Sequence, residues 1–468
     1  MALAYLIFSC LAIASIVGVN PGLRFPRIPE KLLVFSTVAL VGGLVASFSY
    51  EMHLIDAAYV LVPRPDWQNR LPVHFFTIGP LFDIYSKPTL ATKVEILSIL
   101  QSLMLAMFYV SLRGARITRT IVVTVMLGAA AMGFASLQAI VAGPDIFSYI
   151  GLGLSQSPYD PGRVPLPHAD MLIANVWGYP LLPSPYGPVW NLIAHVVASS
   201  FVSLPAQALA FRVLGIVGIC VSAAMLYRIS GPLVAFVFAL NPPLWQMYVA
   251  EAHNDIVAIS LVLIAIACRR RAILAIVFVA LAGAVKLPFL IIGVVATSHD
   301  PQFRTRLWRS TLGVGAGVSL SLALGGIAYV HAMRRIAMIY THQLPLYVNL
   351  LHVALGIVAI GALAAVVISR RYVWGAPWSF VAFAQFTSWQ YLGWGIPYAI
   401  LDKTKGAVYL ISLPLAWYVL NWLFLSTPLF DVSRMLLIAV LLTAMILHCF
   451  RVSKNAGQLP RPSMSMGK

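Results

Sequence analysis

The sequence predicts an all-α, polytopic integral membrane protein, and three observations carry that reading. Of its 468 residues, 60% are hydrophobic and only 10% charged, with a mean hydropathy of +0.89, a balance outside that of soluble domains. The apolar residues gather into runs of roughly 15–24, the length a helix needs to cross a bilayer. Basic residues stand in short clusters between those runs, so the excess of 31 Lys+Arg over 14 Asp+Glu, a net charge of +17, points to anionic lipid headgroups and not to nucleic acid.

Taken in chain order, spans are predicted near 2–19, 32–50, 94–112, 120–143, 207–227, 232–248, 254–268, 307–330, 348–368, 374–392, 406–425 and 434–450. The stretch Ala272 to Thr297 is interrupted by Lys286-Leu287-Pro288 and reads as two half-spans meeting near a membrane face; a similar break falls at Gly393 to Pro397. Short broken spans included, the total is about 13–15 transmembrane helices. The first run follows only Met1 and has neither a basic leader nor a small-residue cleavage site, so it is expected to be retained as a span.

Charge sets the orientation. Arg24/Arg27/Lys31, Arg113/Arg116/Arg119, Arg269/Arg270/Arg271, Arg304/Arg306/Arg309, Arg370/Arg371 and Lys403/Lys405 all fall inside only if both broken regions cross twice and the run 188–204 lies along the membrane. About 21 of the basic residues and about 3 of the acids then face the cytoplasm. Two outer segments are long, Glu51 to Lys93 and Pro144 to Leu204, and the second is expected to bear membrane-parallel helices. Long ordered loops tend to carry function. The domains expected are 1–119, additional N-terminal helices with the outer loop 51–93; 120–450, a catalytic transmembrane domain; and 451–468, a cytoplasmic tail.

Cys10, Cys220, Cys268 and Cys449 lack paired spacing, so neither a disulfide framework nor a structural zinc site is expected. The chain also has no phosphate-cradling glycine-lysine loop, no dinucleotide fingerprint, no zinc-protease helix motif and no nucleophile elbow. Nucleotide-driven transport and soluble hydrolase chemistry lose their support accordingly.

Polar residues cluster where spans meet the outer face. Asp145, in Gly143-Pro144-Asp145-Ile146-Phe147-Ser148-Tyr149, is either a helix cap or a catalytic carboxylate. Glu251-Ala252-His253-Asn254-Asp255 holds four polar groups in five residues, more than one cap needs. Lys286 either snorkels to an interface or faces an anionic group from within the protein. The turn-rich loop from Ser157-Pro158-Tyr159-Asp160-Pro161 to Ser184-Pro185-Tyr186-Gly187-Pro188 is shaped by its prolines and glycines. Arg334, Arg335, Tyr340 and His342 offer phosphate donors, or anchors on lipid headgroups. Trp389, Tyr391, Trp394 and Tyr398 are expected to form an aromatic belt.

The order of these motifs, from Asp145-Ile146-Phe147-Ser148-Tyr149 through Ser157-Pro158-Tyr159-Asp160-Pro161, Ser184-Pro185-Tyr186-Gly187-Pro188, Asn241-Pro242 and His253-Asn254-Asp255 to Lys286-Leu287-Pro288, resembles the GT-C superfamily of membrane glycosyltransferases. The resemblance is nearest to the bacterial polyprenyl-phosphate-mannose-dependent α-mannosyltransferases and spans roughly Thr120 to Phe450. It implies a GT-C fold in a bacterial inner membrane, with the site facing the periplasm or exterior. It also implies a polyprenyl-phosphate sugar donor, a glycolipid or glycan acceptor in contact with membrane lipids, and transfer with inversion. Asp145 matches the family's loop carboxylate and becomes the expected base. Tyr149, Tyr159, Asp160, Tyr186, Glu251, His253, Asn254, Asp255, Lys286, Arg334, Arg335 and His342 are the expected substrate contacts. No cofactor is called for, and a divalent cation is left open. The rival reading is a transporter or flippase of a lipid-linked sugar, which a repeat between the two halves would favour; no such repeat is present.

Overall fold

The computed structural model describes residues 29–60, 88–138, 145–161, 182–298, 303–342, 389–401 and 403–425, with scattered positions between 353 and 364. Among these residues the protein is 86% helical and has no strand, so it is an all-α polytopic membrane protein. The first three helices are α1 (Glu30–Val60), α2 (Pro88–Leu112) and α3 (Arg119–Gln138). They are long and apolar enough to span, as are α6 (Leu204–Ser230) and, within α12 (Phe303–His342), the stretch Leu307–Met338. Bulky apolar side chains such as Met126, Leu127 and Phe134 of α3 are two-thirds exposed, as residues facing lipid tails must be.

Between these spans lie shorter helices that carry the polar segments. They are α4 (Asp145–Leu154), α5 (Pro188–Ser200), α7 (Pro232–Ala239), α8 (Pro242–Trp245), α9 (Asp255–Ala267), α10 (Ala272–Val285) and α11 (Pro288–Thr297). A 3₁₀ turn over Trp389–Gly395 leads into α13 (Ile396–Ala399) and then α14 (Lys403–Leu425). Prolines start most of them: Pro188, Pro232, Pro242 and Pro288 each begin a helix, where the missing N–H costs nothing.

One expected span is corrected. The run 232–248 is not one straight crossing: α7 and the segment Pro242–Ala250 meet at 61°, because Pro242 and Pro243 supply no donors to continue the α7 ladder. The carbonyls left open are met nearby: that of Phe238 accepts from the Asn241 backbone N–H at 3.2 Å and that of Ala239 from Trp245 Nε1 at 2.7 Å. The run 254–268 is found as a helix of 13 residues, Asp255–Ala267, about 20 Å long. It sits inside the protein, with Ser260 accepting or donating to Ser222 at 2.9 Å and donating to the Gly218 carbonyl at 2.9 Å. The half-spans around Lys286 are found as expected, as α10 and α11 with Lys286 extended between them (φ −152°, ψ 118°). The expected spans 2–19 and 434–450, most of 348–368 and the part of 374–392 before Trp389 lie outside the described residues, as does the end of 120–143 beyond Gln138.

The packing that matters for the site is the antiparallel pair α9–α10. The chain leaves the polar segment at Asp255, runs along α9, turns through Arg269, Arg270 and Arg271, and returns along α10 to Lys286. Lys286 therefore arrives beside Asp255 at one end, while the arginines gather at the other. The loop before α5 closes on the same end: Gly187 N–H donates to the Val285 carbonyl at 2.9 Å. A Cβ on Gly187 would lie 2.1 Å from the Ala284 carbonyl oxygen, so only glycine lets the backbone approach this closely.

Candidate functional site

The polar segment 251–255 is held by irregular backbone. After α8 the chain makes one π turn, Gln246–Ala250, closed by Glu251 N–H to the Gln246 carbonyl at 2.9 Å. Ala252 then takes a left-handed conformation, φ 52°, which costs an L-residue about 1–2 kcal/mol. Single π turns and strained residues gather at functional sites. Here they turn Glu251 and His253 inward, so that both are less than 5% exposed, before Asn254 opens α9.

Asp145 is the first residue of α4, and its carboxylate faces His253 instead of capping its own helix. His253 Nδ1 lies 2.9 Å from Asp145 Oδ2, and Nε2 lies 3.0 Å from Glu251 Oε2. Gln246 Nε2 donates to the other Glu251 oxygen at 3.3 Å. A histidine that donates from both ring nitrogens is an imidazolium. Burial by itself disfavours that charge, but the hydrogen bonds and charges of Asp145 and Glu251 outweigh it and raise the His253 pKa from 6.5 to about 10. Burial likewise works against the Asp145 carboxylate, yet its bond to His253, the His253 and Lys286 charges and the Tyr149 hydroxyl together hold it below its ordinary value.

One turn on, Tyr149 donates to Asp145 Oδ2 at 3.4 Å and accepts from the Asn254 backbone N–H at 3.2 Å. Its ring is fixed edge-on between Tyr186 and Trp190, with centroids 5.1 and 4.9 Å away. Both side-chain bonds to Asp145 end on Oδ2.

A second charged pair shares the segment. Lys286 Nζ donates to Asp255 Oδ1 at 2.9 Å, and Trp394 Nε1 donates to the same oxygen at 2.6 Å. The ammonium also lies 5.1 Å from the Tyr391 ring centre and 5.5 Å from that of Trp394, within reach of both π faces. The 3₁₀ turn bearing these aromatics is pinned by Tyr248 Oη donating to the Gln390 carbonyl at 2.9 Å and by Tyr409 to the Leu392 carbonyl. Among the described residues, Asn254 Oδ1 and Nδ2 and Asp255 Oδ2 are buried without a hydrogen-bond partner. Such groups cost about 1–3 kcal/mol each unless something fills their valences; the hydroxyls of a sugar are of the right chemistry.

The structure brings Asp145, Tyr149, Tyr186, Glu251, His253, Asn254, Asp255 and Lys286 into one cluster. Tyr159 stands at its border, donating to the Tyr186 carbonyl at 3.4 Å and packing on Tyr329 of α12. Asp160 is exposed in the following turn, and Arg334 and Arg335 are exposed on α12; among the described residues no hydrogen bond or ion pair joins them to Asp145 or Lys286, and the His342 side chain lies outside the described ones. Among the described residues no three His, Cys, Asp or Glu side chains stand together as a metal-holding group.

The aromatic-belt reading of 389–398 is corrected: Trp394 and Tyr398 are 1% and 0% exposed, and Trp394 is turned inward by its bond to Asp255. The break at Gly393 to Pro397 was the available signal, since a span broken at mid-depth returns its side chains to the interior. Arg212 was also missed. It is fully buried in α6, where Nε donates to the Ala250 carbonyl and Nη1 to the Leu137 carbonyl, both at 3.1 Å. It thereby fastens the π turn to the end of α3. A lone arginine inside an apolar span was its only mark in the sequence.

Residues 79–299 match the family described as alpha-(1->6)-mannopyranosyltransferase, N-terminal domain. This match agrees with the resemblance to membrane mannosyltransferases read from the motifs, over a segment that contains the whole cluster named above; Tyr391 and Trp394 lie beyond it. Comparison with curated proteins and with solved structures finds no match.

Proposed function

We propose that the protein is a membrane α-mannosyltransferase that moves mannose, or a similar hexose or pentose, from a polyprenyl-phosphate donor to an acceptor hydroxyl of an envelope glycolipid or glycan, with inversion. The match of 79–299 supports glycosyl transfer. The observation that carries the finer reading is the buried chain Asp145–His253–Glu251 set beside the partly open cation Lys286, whose side chain is 12% exposed.

The chemistry asks for a base on one side of the sugar and positive charge on the other. In an inverting transfer the acceptor oxygen bonds to the anomeric carbon as the bond to the phosphate oxygen breaks. The acceptor proton passes to the Asp145 carboxylate, and the electron pair leaves with the phosphate. The His253 imidazolium keeps Asp145 ionised and aimed; the carboxylate is a weak base at rest and takes the proton late, as the acceptor oxygen becomes acidic. Lys286 opposes the negative charge that builds on the leaving phosphate. A polyprenyl phosphate needs no nucleotide-binding loop, in keeping with the absence of one.

The orientation belongs to the same proposal. Asp145, His253 and Lys286 stand at one end of α9 and α10, and Arg269, Arg270 and Arg271 at the other. The positive-inside bias then puts the site on the periplasmic or exterior side of a bacterial inner membrane. Within that frame 1–119 adds accessory helices, 120–450 forms the catalytic domain and 451–468 a cytoplasmic tail. The test is incubation of purified protein with a panel of radiolabelled polyprenyl-phosphate sugars and envelope lipids. Label should move to an acceptor lipid or glycan; failure of every donor in the panel would overturn the reading.

A further inference from the structure

Arg212 lies in the apolar helix α6 and is 0% exposed. An arginine keeps its charge inside a protein, and a buried charge is costly unless it is paired or used. Its bonds to the Ala250 and Leu137 carbonyls satisfy N–H groups but bring no counter-charge. Among the described residues, the cluster beside it holds three carboxylates, Asp145, Glu251 and Asp255, against two cations, His253 and Lys286. Arg212 makes the count equal.

The bond to Ala250 also falls at a sensitive place. That carbonyl closes the π turn, one peptide before Glu251 and two residues before the left-handed Ala252. Strained backbone persists only where its surroundings over-determine it. One restraint is local, His253 N–H donating to the Met247 carbonyl at 3.1 Å. The other is α6. A Cβ on Gly215 would lie 1.9 Å from the Tyr248 carbonyl oxygen, so the two backbones touch there, and Arg212, one turn earlier, holds Ala250. Its neighbour Phe211 packs on the Tyr149 ring at 5.4 Å, and Tyr149 donates to Asp145. Helix α6 therefore braces both ends of the chain Asp145–His253–Glu251.

We infer that Arg212 is a positioning residue for that chain: through the Ala250 carbonyl it fixes the backbone that aims Glu251 and His253, and its charge balances the third carboxylate. Its effect on transfer rests on the function proposed above; its effect on the charge balance of the fold does not. The competing role is a plain staple between helices, for which any donor would serve and no pH dependence would follow. The titratable groups on the elements packed against α6 are Asp145 and Tyr149 of α4, Tyr248, Glu251 and His253 of the turn, and Asp255 of α9 with Lys286 beyond it. Helices α7 and α8 carry none, α3 has only Arg119 at its far end, and His195 of α5 bonds the Gly153 carbonyl. On α6 itself the next is Cys220, two turns away.

Two substitutions in the full chain separate charge from hydrogen bonding. Arg212→Lys keeps the charge and loses the fork; Arg212→Gln keeps a donor and loses the charge. Melting temperatures are compared with the parent's from about pH 8 down to about pH 4.5. With one negative charge in excess, the native state of Arg212→Gln takes up a proton more readily than the parent's. Its melting-temperature deficit should therefore shrink as the pH falls, while that of Arg212→Lys stays level. If Arg212→Gln does not fold at neutral pH, Arg212→Gln/Glu251→Gln removes one charge of each sign and should recover folded protein. In transfer from the polyprenyl-phosphate donor, the acid limb of the rate profile should move up by about one pH unit in Arg212→Gln and stay in place in Arg212→Lys. A parent without transfer activity would sink the proposed function, and the melts would still decide the role of Arg212. A deficit of Arg212→Gln that is constant with pH, or a double variant no more stable than the single one, would overturn the inference.

Discussion

Asp145 and Asp255 are both buried carboxylates in the first turn of a helix, and each is paired to a cation, yet the two pairs are built for different work. The cation of Asp145 is His253, enclosed between two carboxyl groups and less than 5% exposed. Nothing further can reach that imidazolium, so its charge is spent on holding Asp145. The cation of Asp255 is Lys286, 12% exposed at its side chain and flanked by two aromatic faces. Three donors of an ammonium are not exhausted by one carboxylate oxygen, and Lys286 keeps capacity for a second anion. One pair makes a poised carboxylate with a cation hidden behind it; the other makes a poised cation with a carboxylate hidden behind it.

Breaking the first pair should have the largest effect. Asp145→Asn retains size and the bond to Tyr149 but cannot take a proton, so the transfer rate is expected to fall roughly 10²–10⁴-fold while the variant folds and inserts. Near-parental transfer by that variant would leave Asp145 a purely structural partner of His253. Lys286→Gln comes next: donor use should weaken by about 1–3 kcal/mol, the worth of a charge-assisted hydrogen bond. Because Asp255 is then left buried beside an amide, Asp255→Asn/Lys286→Gln is the control. If the double variant recovers donor affinity, the lysine serves only to neutralise Asp255.

The enclosed imidazolium gives the comparison a pH signature. The His253 pKa is raised above its unfolded value of 6.5 to about 10. The stability it contributes is therefore complete below about pH 6.5 and is lost as the pH rises through about 10. Thermal melts across that window should show the loss. Glu251→Gln removes one of the two groups that raise the pKa, so the loss should begin at lower pH, and an unmoved profile would refute the enclosed-cation reading. The smallest effect is expected at the bend between the two pairs. Ala252→Gly releases the positive-φ strain and should stabilise by at most about 1 kcal/mol, the backbone entropy of glycine offsetting part of the gain. A melting temperature lowered by several degrees would show that Ala252 packing outweighs its backbone strain.

Particular residues show how far the sequence could be read. Pro144-Asp145 after a long apolar run, and four polar residues in a row after Ala250 broken only by Ala252, are conspicuous because charge at the edge of a membrane span is costly and rarely accidental. Lys286 stood out for the same reason, and Lys286-Leu287-Pro288 announced the break between α10 and α11. Trp394 did not stand out, because a tryptophan near a span end has an ordinary explanation at the lipid interface. The exposed pair Arg334 and Arg335 looked as promising as Lys286, since a sequence reports the presence of charge and not the direction in which a helix points it.

What the sequence determined alone is what local physics fixes: the all-α membrane class from hydropathy, the broken helices from proline, and the segregation of basic from polar ends from the alternation of charge along the chain. Only the tertiary structure decided which of those polar ends meet. His253 finds Asp145 across 108 positions of chain, Lys286 finds Asp255 across 31, and Trp394 joins them from 139 positions further on. Those separations carry no periodic signal. The contacts arise because a buried charge is stable only opposite its counter-charge, and the packing of α4, α9, α10 and the 3₁₀ turn determines where that counter-charge stands.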